Sequence, residues 1–174
     1  MRLAALALAL AICTSALGQG MRLVAPNVVV ISPTLVTSGQ PSASALADLK
    51  AQGFDAVIYL APANVSDAVR DEQLIVTRQG LAFINLPISF ENPTEVDFDL
   101  FSSLLQGLGT RKALVHCQVN MRASSMVFLY RVIVQKEDPR IAYEAVSGVW
   151  VPHGPWRRLI ETQLRKHNVP FEIL

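Results

Sequence analysis

The residues best suited to covalent chemistry lie in one short segment, His116-Cys117-Gln118-Val119-Asn120-Met121-Arg122-Ala123-Ser124. An apolar stretch ends just before the cysteine, and a helical pattern begins at about Met121. The N–H groups of a tight turn and of a helix N-terminus favour negative charge. The segment therefore predicts an oxyanion cradle with a thiolate at its base.

Each residue type in this segment has a predicted role. Cys117 is the expected nucleophile, because a thiolate is favoured at a helix N-terminus. Arg122 carries a planar fork of donors that matches two oxygens of a phosphate-like group. Asn120 lies at the turn, where a positive φ is expected and Asn tolerates it. The other expected contacts of the substrate or its loop are His116, Gln118, Val119, Met121, Ala123 and Ser124.

A simpler interpretation assigns no chemistry to the segment. Free cysteines are commonly small, buried and inert. In that case Cys117 is a core residue and Arg122 is a solvated residue at the start of a helix.

Strand and helix patterns alternate along the chain. Strands are predicted over residues 28–31, 35–37, 56–60, 81–86 and 113–115, with the first two at a sheet edge. Helices are predicted to begin at residues 42, 66, 94, 121, 138 and 155; the second runs to 79. This alternation predicts a single α/β domain with a central, mostly parallel sheet flanked by helices. Its ligand site should lie at the carboxyl ends of the strands, where Cys117 falls.

The segment resembles the active-site loop of cysteine-dependent protein tyrosine and dual-specificity phosphatases, which read His-Cys, five residues, Arg, then Ser or Thr. Only four residues separate Cys117 from Arg122, so this loop is one residue shorter. The chain is more similar to beta-lactamase-hydrolase-like phosphatase domains, a bacterial branch with four residues at that place. That branch also carries an ISP-x-L-x-x-SGQP segment, which matches Ile31 to Pro41 here, and a later Leu-Pro-Ile at residues 86–88.

The resemblance covers about residues 28–134 and implies a phosphotyrosine-phosphatase-like fold. It further implies hydrolysis of phosphate monoesters through a phosphocysteine, with Cys117 as nucleophile and Arg122 on the phosphate. Such enzymes usually place an acidic residue in the loop after Leu-Pro-Ile, but Ser89 and Phe90 stand there. Glu91 is the best substitute as general acid, whereas Glu95 and Asp97 are expected to stabilise a helix N-terminus.

The N-terminal residues 1–18 have the basic start, short apolar run and small-residue end of a Sec-type signal peptide. Cleavage near Gly18 predicts a periplasmic or secreted domain over residues 19–174. It removes one of the 15 Lys and Arg residues and none of the 14 Asp and Glu residues, which leaves 14 of each. It also removes Cys13, so Cys117 stands alone and no internal disulfide is expected.

The charge balance predicts neither a nucleic-acid partner nor electrostatic membrane binding after cleavage. The three histidines show no ligand spacing, so neither a metal nor another cofactor is expected. Trp150 and Trp156 are predicted to fix a rigid loop on the domain rather than to bind a partner. The expected substrate is a phosphorylated small molecule or phosphoprotein, and the sequence gives no oligomeric state.

Three functions from different classes remain open. The first is the phosphatase. The second is a rhodanese-like sulfurtransferase acting through a Cys117 persulfide, because a shorter loop makes a narrower cradle. The third is an inactive domain that binds an anionic or phosphorylated partner.

Overall fold

The computed structural model describes residues 22–173, so the predicted signal peptide lies outside the described part. The sheet has five strands: β1 Val29–Ser32, β2 Leu35–Ser38, β3 Ala56–Tyr59, β4 Ala82–Asn85 and β5 Ala113–His116. Their order is β1-β2-β5-β3-β4. The pairs β2–β5, β5–β3 and β3–β4 are parallel, and only β1 runs antiparallel to its neighbour. The predicted α/β class with a mostly parallel sheet is confirmed.

Six helices complete the described part: α1 Ala43–Ala47, α2 Glu72–Thr77, α3 Glu95–Leu108, α4 Met121–Ile133, α5 Pro139–Ser147 and α6 Gly154–Lys166. Several begin at the caps that the sequence predicted. Thr94 and Asp97 form a reciprocal capping box at α3. The Asp138 side chain accepts from the Arg140 N–H at the start of α5, where Pro139 is the first helical residue.

Two local predictions are wrong. β2 is an inner strand, because its other edge pairs with β5, and all four of its residues are buried. The second helix begins at Glu72 rather than at residue 66. Asp71 adopts a left-handed φ of 62°, which a helix cannot accommodate, so residues 60–71 form a loop above the sheet edge.

The two faces of the sheet support separate apolar clusters. Val57 and Leu114 face the cluster that includes α1 and α2, whereas Ile58 and Val115 face the larger cluster around α4. This alternation follows from the two-residue period of a strand. In α4, every residue except Met121 is buried. The helix that follows the cysteine is therefore held rigidly by the core, as its apolar sequence predicts.

Within residues 22–173, no helix is long and apolar enough to cross a membrane. The same residues contain no group of His, Cys, Asp and Glu side chains suited to holding a metal ion.

Candidate active site

Strand register places the cysteine at the carboxyl end of the sheet. His116 is level with Ser38 of β2 and with Tyr59 of β3. The next residue, Cys117, leaves the sheet, and its N–H donates to the Ser38 carbonyl at 3.2 Å. The thiol side chain is completely buried. Cys117 belongs to the larger apolar cluster, on the same face of the sheet as α4.

The Ser38-Gly39-Gln40 segment holds this loop from the side. A Cβ atom at Gly39 would lie 2.7 Å from the Gln118 carbonyl oxygen and 3.0 Å from Val119 Cα. The Gln40 N–H donates to the same Gln118 carbonyl at 2.9 Å. Glycine is required because the two backbones touch at this point. This contact gives a physical role to the SGQP part of the resemblance, which the sequence alone did not supply.

Asn120 forms the turn of the loop in the left-handed conformation, with φ of 71°, as predicted. Its side chain is buried, and Nδ2 donates to the Asn27 carbonyl at 2.6 Å and to Thr37 Oγ1 at 3.0 Å. These bonds tie the turn to β2 and to the segment before β1. Asn120 therefore fixes the turn of the loop against the sheet.

Arg122 is buried, so the simpler interpretation of a solvated helix-start residue is wrong. Its Nε donates to the Ile88 carbonyl at 3.0 Å, and Nη1 lies 3.4 Å from Gln118 Oε1. Its guanidinium also lies against the Phe90 ring, 5.1 Å from the ring centroid. Nη2 donates to no group among residues 22–173. One side of the fork is therefore fixed, and the other is available to an oxyanion.

The loop and the first turn of α4 carry backbone donors that no protein group uses. No acceptor in the described chain takes up the N–H groups of Gln118, Val119, Met121 and Arg122. Unbonded N–H groups in a turn and at a helix N-terminus bind anions. With Nη2 of Arg122, they are donors of the described chain that an oxyanion can use.

The remaining predicted contacts lie around this cradle. Val119 is exposed on its outer side, where it lines an open cleft of about 550 Å³ with Val24 and Pro41. Met121 is half-buried and Ala123 is buried in the core. The Ser124 hydroxyl donates to the Met121 carbonyl at 3.3 Å, which stabilises the first turn of α4.

Two carboxylates belong to segments that contact the cysteine loop or Arg122. Glu91 is exposed and makes no hydrogen bond or ion pair within the described residues. It follows Phe90, whose ring packs on Arg122. Asp67, in the loop between β3 and α2, accepts a hydrogen bond from Gln118 Nε2 at 2.8 Å. No sequence pattern indicated Asp67, because it lies 51 residues from its loop partner.

The two tryptophans fix the loop that carries Glu91. Trp156 is fully buried, and its Nε1 donates to the Phe90 carbonyl at 2.9 Å. The Phe90 ring lies 5.8 Å from that of Trp150 and 5.9 Å from that of Trp156. The predicted structural role of both tryptophans is confirmed. Through Phe90, the same cluster also supports Arg122.

Tyr59 lies beneath the site with its ring stacked on His116 at 4.7 Å. Burial raises the pKa of Tyr59 to about 12, and the nearby charges of Glu72, Asp67 and Cys117 act in the same direction. The phenol is therefore neutral at ordinary pH. It donates to the Pro62 carbonyl at 3.3 Å.

Comparison with known proteins identifies similar chains. The profile of the PTP-NADK family, described as DSP-PTPase phosphatase fused to NAD+ kinase, matches residues 31–150. The solved structure "Putative phosphatase (DUF442)" from Shewanella putrefaciens CN-32 is 27% identical, with a TM-score of 0.74 over 83% of this chain and 92% of that chain.

More distant structures share the fold. TpbA from P. aeruginosa, solved with pTyr, is 21% identical, with a TM-score of 0.61 over 82% of this chain and 85% of that chain. PTPMT1, solved with PI(5)P, is 15% identical, with a TM-score of 0.65 over 81% and 96% of the two chains.

No curated protein sequence matches the chain significantly. The family profile nevertheless spans most of the sheet, the whole cysteine loop and α4 in one continuous match. The chain therefore belongs to this family of DSP-PTPase phosphatases, phosphoric monoester hydrolases of the cysteine-dependent tyrosine and dual-specificity phosphatase branch.

Proposed function

We propose that the protein hydrolyses phosphate monoesters through a phosphocysteine on Cys117. One observation carries the proposal: the buried Cys117 is followed by a loop whose backbone N–H groups, and by an arginine whose Nη2, have no acceptor among residues 22–173. This is the arrangement that stabilises the equatorial oxygens of a transferring phosphoryl group.

The reaction proceeds in two displacements. The Cys117 thiolate attacks phosphorus, an S–P bond forms, and the bond from phosphorus to the leaving oxygen breaks. The protonated Glu91 carboxyl gives its proton to that oxygen. A water molecule then attacks phosphorus as the Glu91 carboxylate accepts its proton. The S–P bond breaks, and phosphate and the thiolate are released.

The proposed substrate is a phosphorylated small molecule or phosphoprotein. TpbA was solved with phosphotyrosine and PTPMT1 with a phosphoinositide, so this fold accommodates both kinds of phosphate ester. The rim of this chain offers Asp67, Glu91 and the apolar Val119. These residues favour a substrate whose single phosphate provides most of the negative charge.

Mass spectrometry of Cys117 tests the function against the sulfurtransferase. The protein is exposed to an aryl phosphate and, separately, to thiosulfate, and each reaction is quenched in acid. We expect a phosphoryl adduct on Cys117 from the first and an unmodified thiol from the second. A persulfide from thiosulfate without any phosphoryl adduct would establish the sulfurtransferase instead. An unmodified thiol in both reactions, with no phosphate released, would indicate a binding domain.

The general acid is tested with Glu91→Gln, matched by Asp67→Asn. Glu91 is the proposed acid because its carboxyl is unbonded in the described structure, whereas Asp67 is held by Gln118. For an alkyl phosphate, whose leaving oxygen needs a proton, Glu91→Gln should lower kcat by about 10²- to 10⁴-fold. The kcat for an activated aryl phosphate, whose leaving oxygen needs no proton, should be much less affected. If Asp67→Asn instead lowers kcat for the alkyl phosphate and Glu91→Gln keeps the native kcat, Asp67 is the general acid.

A further inference from the structure

The structure buries a carboxylate that the proposed reaction does not use. Glu72, the first residue of α2, is only 5% exposed. An ionised carboxylate at such a position is costly unless hydrogen bonds or a charge compensate it. No sequence pattern distinguishes Glu72 from other helix residues. Its partners therefore indicate why it is buried.

Glu72 contacts one residue from each of two strand ends. Oε2 accepts a hydrogen bond from Gln40 Nε2 at 2.8 Å. Oε1 lies 2.7 Å from Nε2 of His116, which is completely buried, although the two atoms are not aligned as a directed hydrogen bond. Two bare lone pairs would repel at that distance, whereas a proton on Nε2 of His116 makes the contact an attractive one between an N–H group and a carboxylate.

Both partners lead directly to the cysteine loop. The Gln40 N–H donates to the Gln118 carbonyl, on the outer side of the loop. His116 immediately precedes Cys117, and its ring is stacked on Tyr59. The Glu72 carboxylate therefore connects His116, which precedes Cys117, to Gln40, which supports Gln118 after it. Tyr59, which stacks on His116, is acted on electrostatically by Glu72, Asp67, Cys117 and Arg122.

We propose that Glu72 is a positioning residue for the oxyanion cradle, acting through Gln40 and His116 on the two flanks of Cys117. The inference rests on the proposed function only in naming the oxyanion as the ligand. A merely structural Glu72 would contribute to stability alone. A positioning Glu72 must also affect the state of the His116 ring and the affinity of the loop for an anion.

The test compares Glu72→Ala and Glu72→Gln with Glu137→Gln. Glu137 pairs with the buried Arg131 near the opposite end of the sheet, so its variant loses an ion pair away from the loop. Two properties are measured: the Kd for vanadate, and the NMR signal of the His116 Nε2 proton, assigned by its absence in His116→Asn. Vanadate imitates phosphate, and the NMR signal needs neither turnover nor ligand.

In Glu72→Ala we expect vanadate affinity to fall about tenfold, as for the loss of one charge-assisted hydrogen bond, and the His116 signal to be lost. The vanadate affinity of Glu72→Gln should lie between those of the native protein and Glu72→Ala. The Gln40 amide can turn, because its Oε1 has no partner within residues 22–173, so both contacts can re-form without the charge. Glu137→Gln should change neither property.

If Glu72→Ala keeps both the native His116 signal and the vanadate affinity of Glu137→Gln, the proposal is overturned. If Glu72→Ala does not fold, Glu72→Gln decides by the same criteria. If the native protein binds no vanadate, the cradle and the proposed function fail. The His116 signal then decides the role of Glu72 separately.

Discussion

Cys117→Ser is expected to abolish turnover and to leave the fold intact. A serine hydroxyl is nearly isosteric with the thiol but is a far weaker nucleophile without an adjacent base. Loss of a covalent nucleophile lowers kcat on the order of a millionfold in a well-studied hydrolase. The measurement is kcat with an aryl phosphate, together with thermal unfolding of both proteins.

Vanadate affinity in Cys117→Ser is the control, because the backbone donors of Gln118, Val119 and Met121 do not depend on the thiol. Anion binding should survive in part while turnover is lost. Turnover at the native rate in Cys117→Ser would rule out covalent catalysis by this residue. Loss of the cooperative unfolding transition would instead make Cys117 a core residue whose packing the protein cannot replace.

Arg122→Lys is expected to lower kcat/KM by about a hundredfold or more, as for the loss of one oxyanion donor. Lysine keeps the positive charge but loses the planar fork. It cannot bond the Ile88 carbonyl, stack on Phe90 and reach the phosphoryl oxygens at once, as the guanidinium can. The measurements are kcat/KM with an aryl phosphate and the Kd for vanadate.

Arg131→Lys is the matched control for this prediction. Arg131 is also buried on α4, where its guanidinium binds Glu137 and the Ala142 carbonyl away from the cysteine loop. The control should lower stability and leave vanadate affinity unchanged. Equal vanadate affinity in native protein and Arg122→Lys would show that charge alone is sufficient and that the fork is not used.

Features that depend on neighbouring residues were predictable from the sequence. The cysteine followed by a turn and a helix start indicated the cradle, because these groups are adjacent along the chain. Asn120 was predicted to have a positive φ for the same local reason, and its φ is 71°. The capping box of Thr94 and Asp97 also lies within one helical turn. The order of strands and helices was enough for the α/β class and for the position of the site at the strand ends.

Features that depend on distant pairs were decided only by the tertiary structure. The second strand was predicted at an edge, but its pairing with β5 joins residues nearly 80 apart in sequence and makes it an inner strand. The helix predicted from residue 66 was shortened by the left-handed Asp71, which no periodicity indicates. Asp67 became part of the site only when the loop after β3 met the loop after β5, and Glu72 only when the start of α2 met the end of β5.

The chemistry of the nucleophile and its arginine thus follows from sequence, because one turn and one helix start position both. The contacts that hold the cysteine loop and Arg122 do not follow from sequence. They come from the segment after β2, from α2 and from the Phe90 loop. Gly39, Glu72 and Trp156 are ordinary residues in their own segments. Each gains its role from a backbone or side chain that folding brings against it. Local sequence patterns thus indicated Cys117 and Arg122, and only long-range packing determined which residues position them.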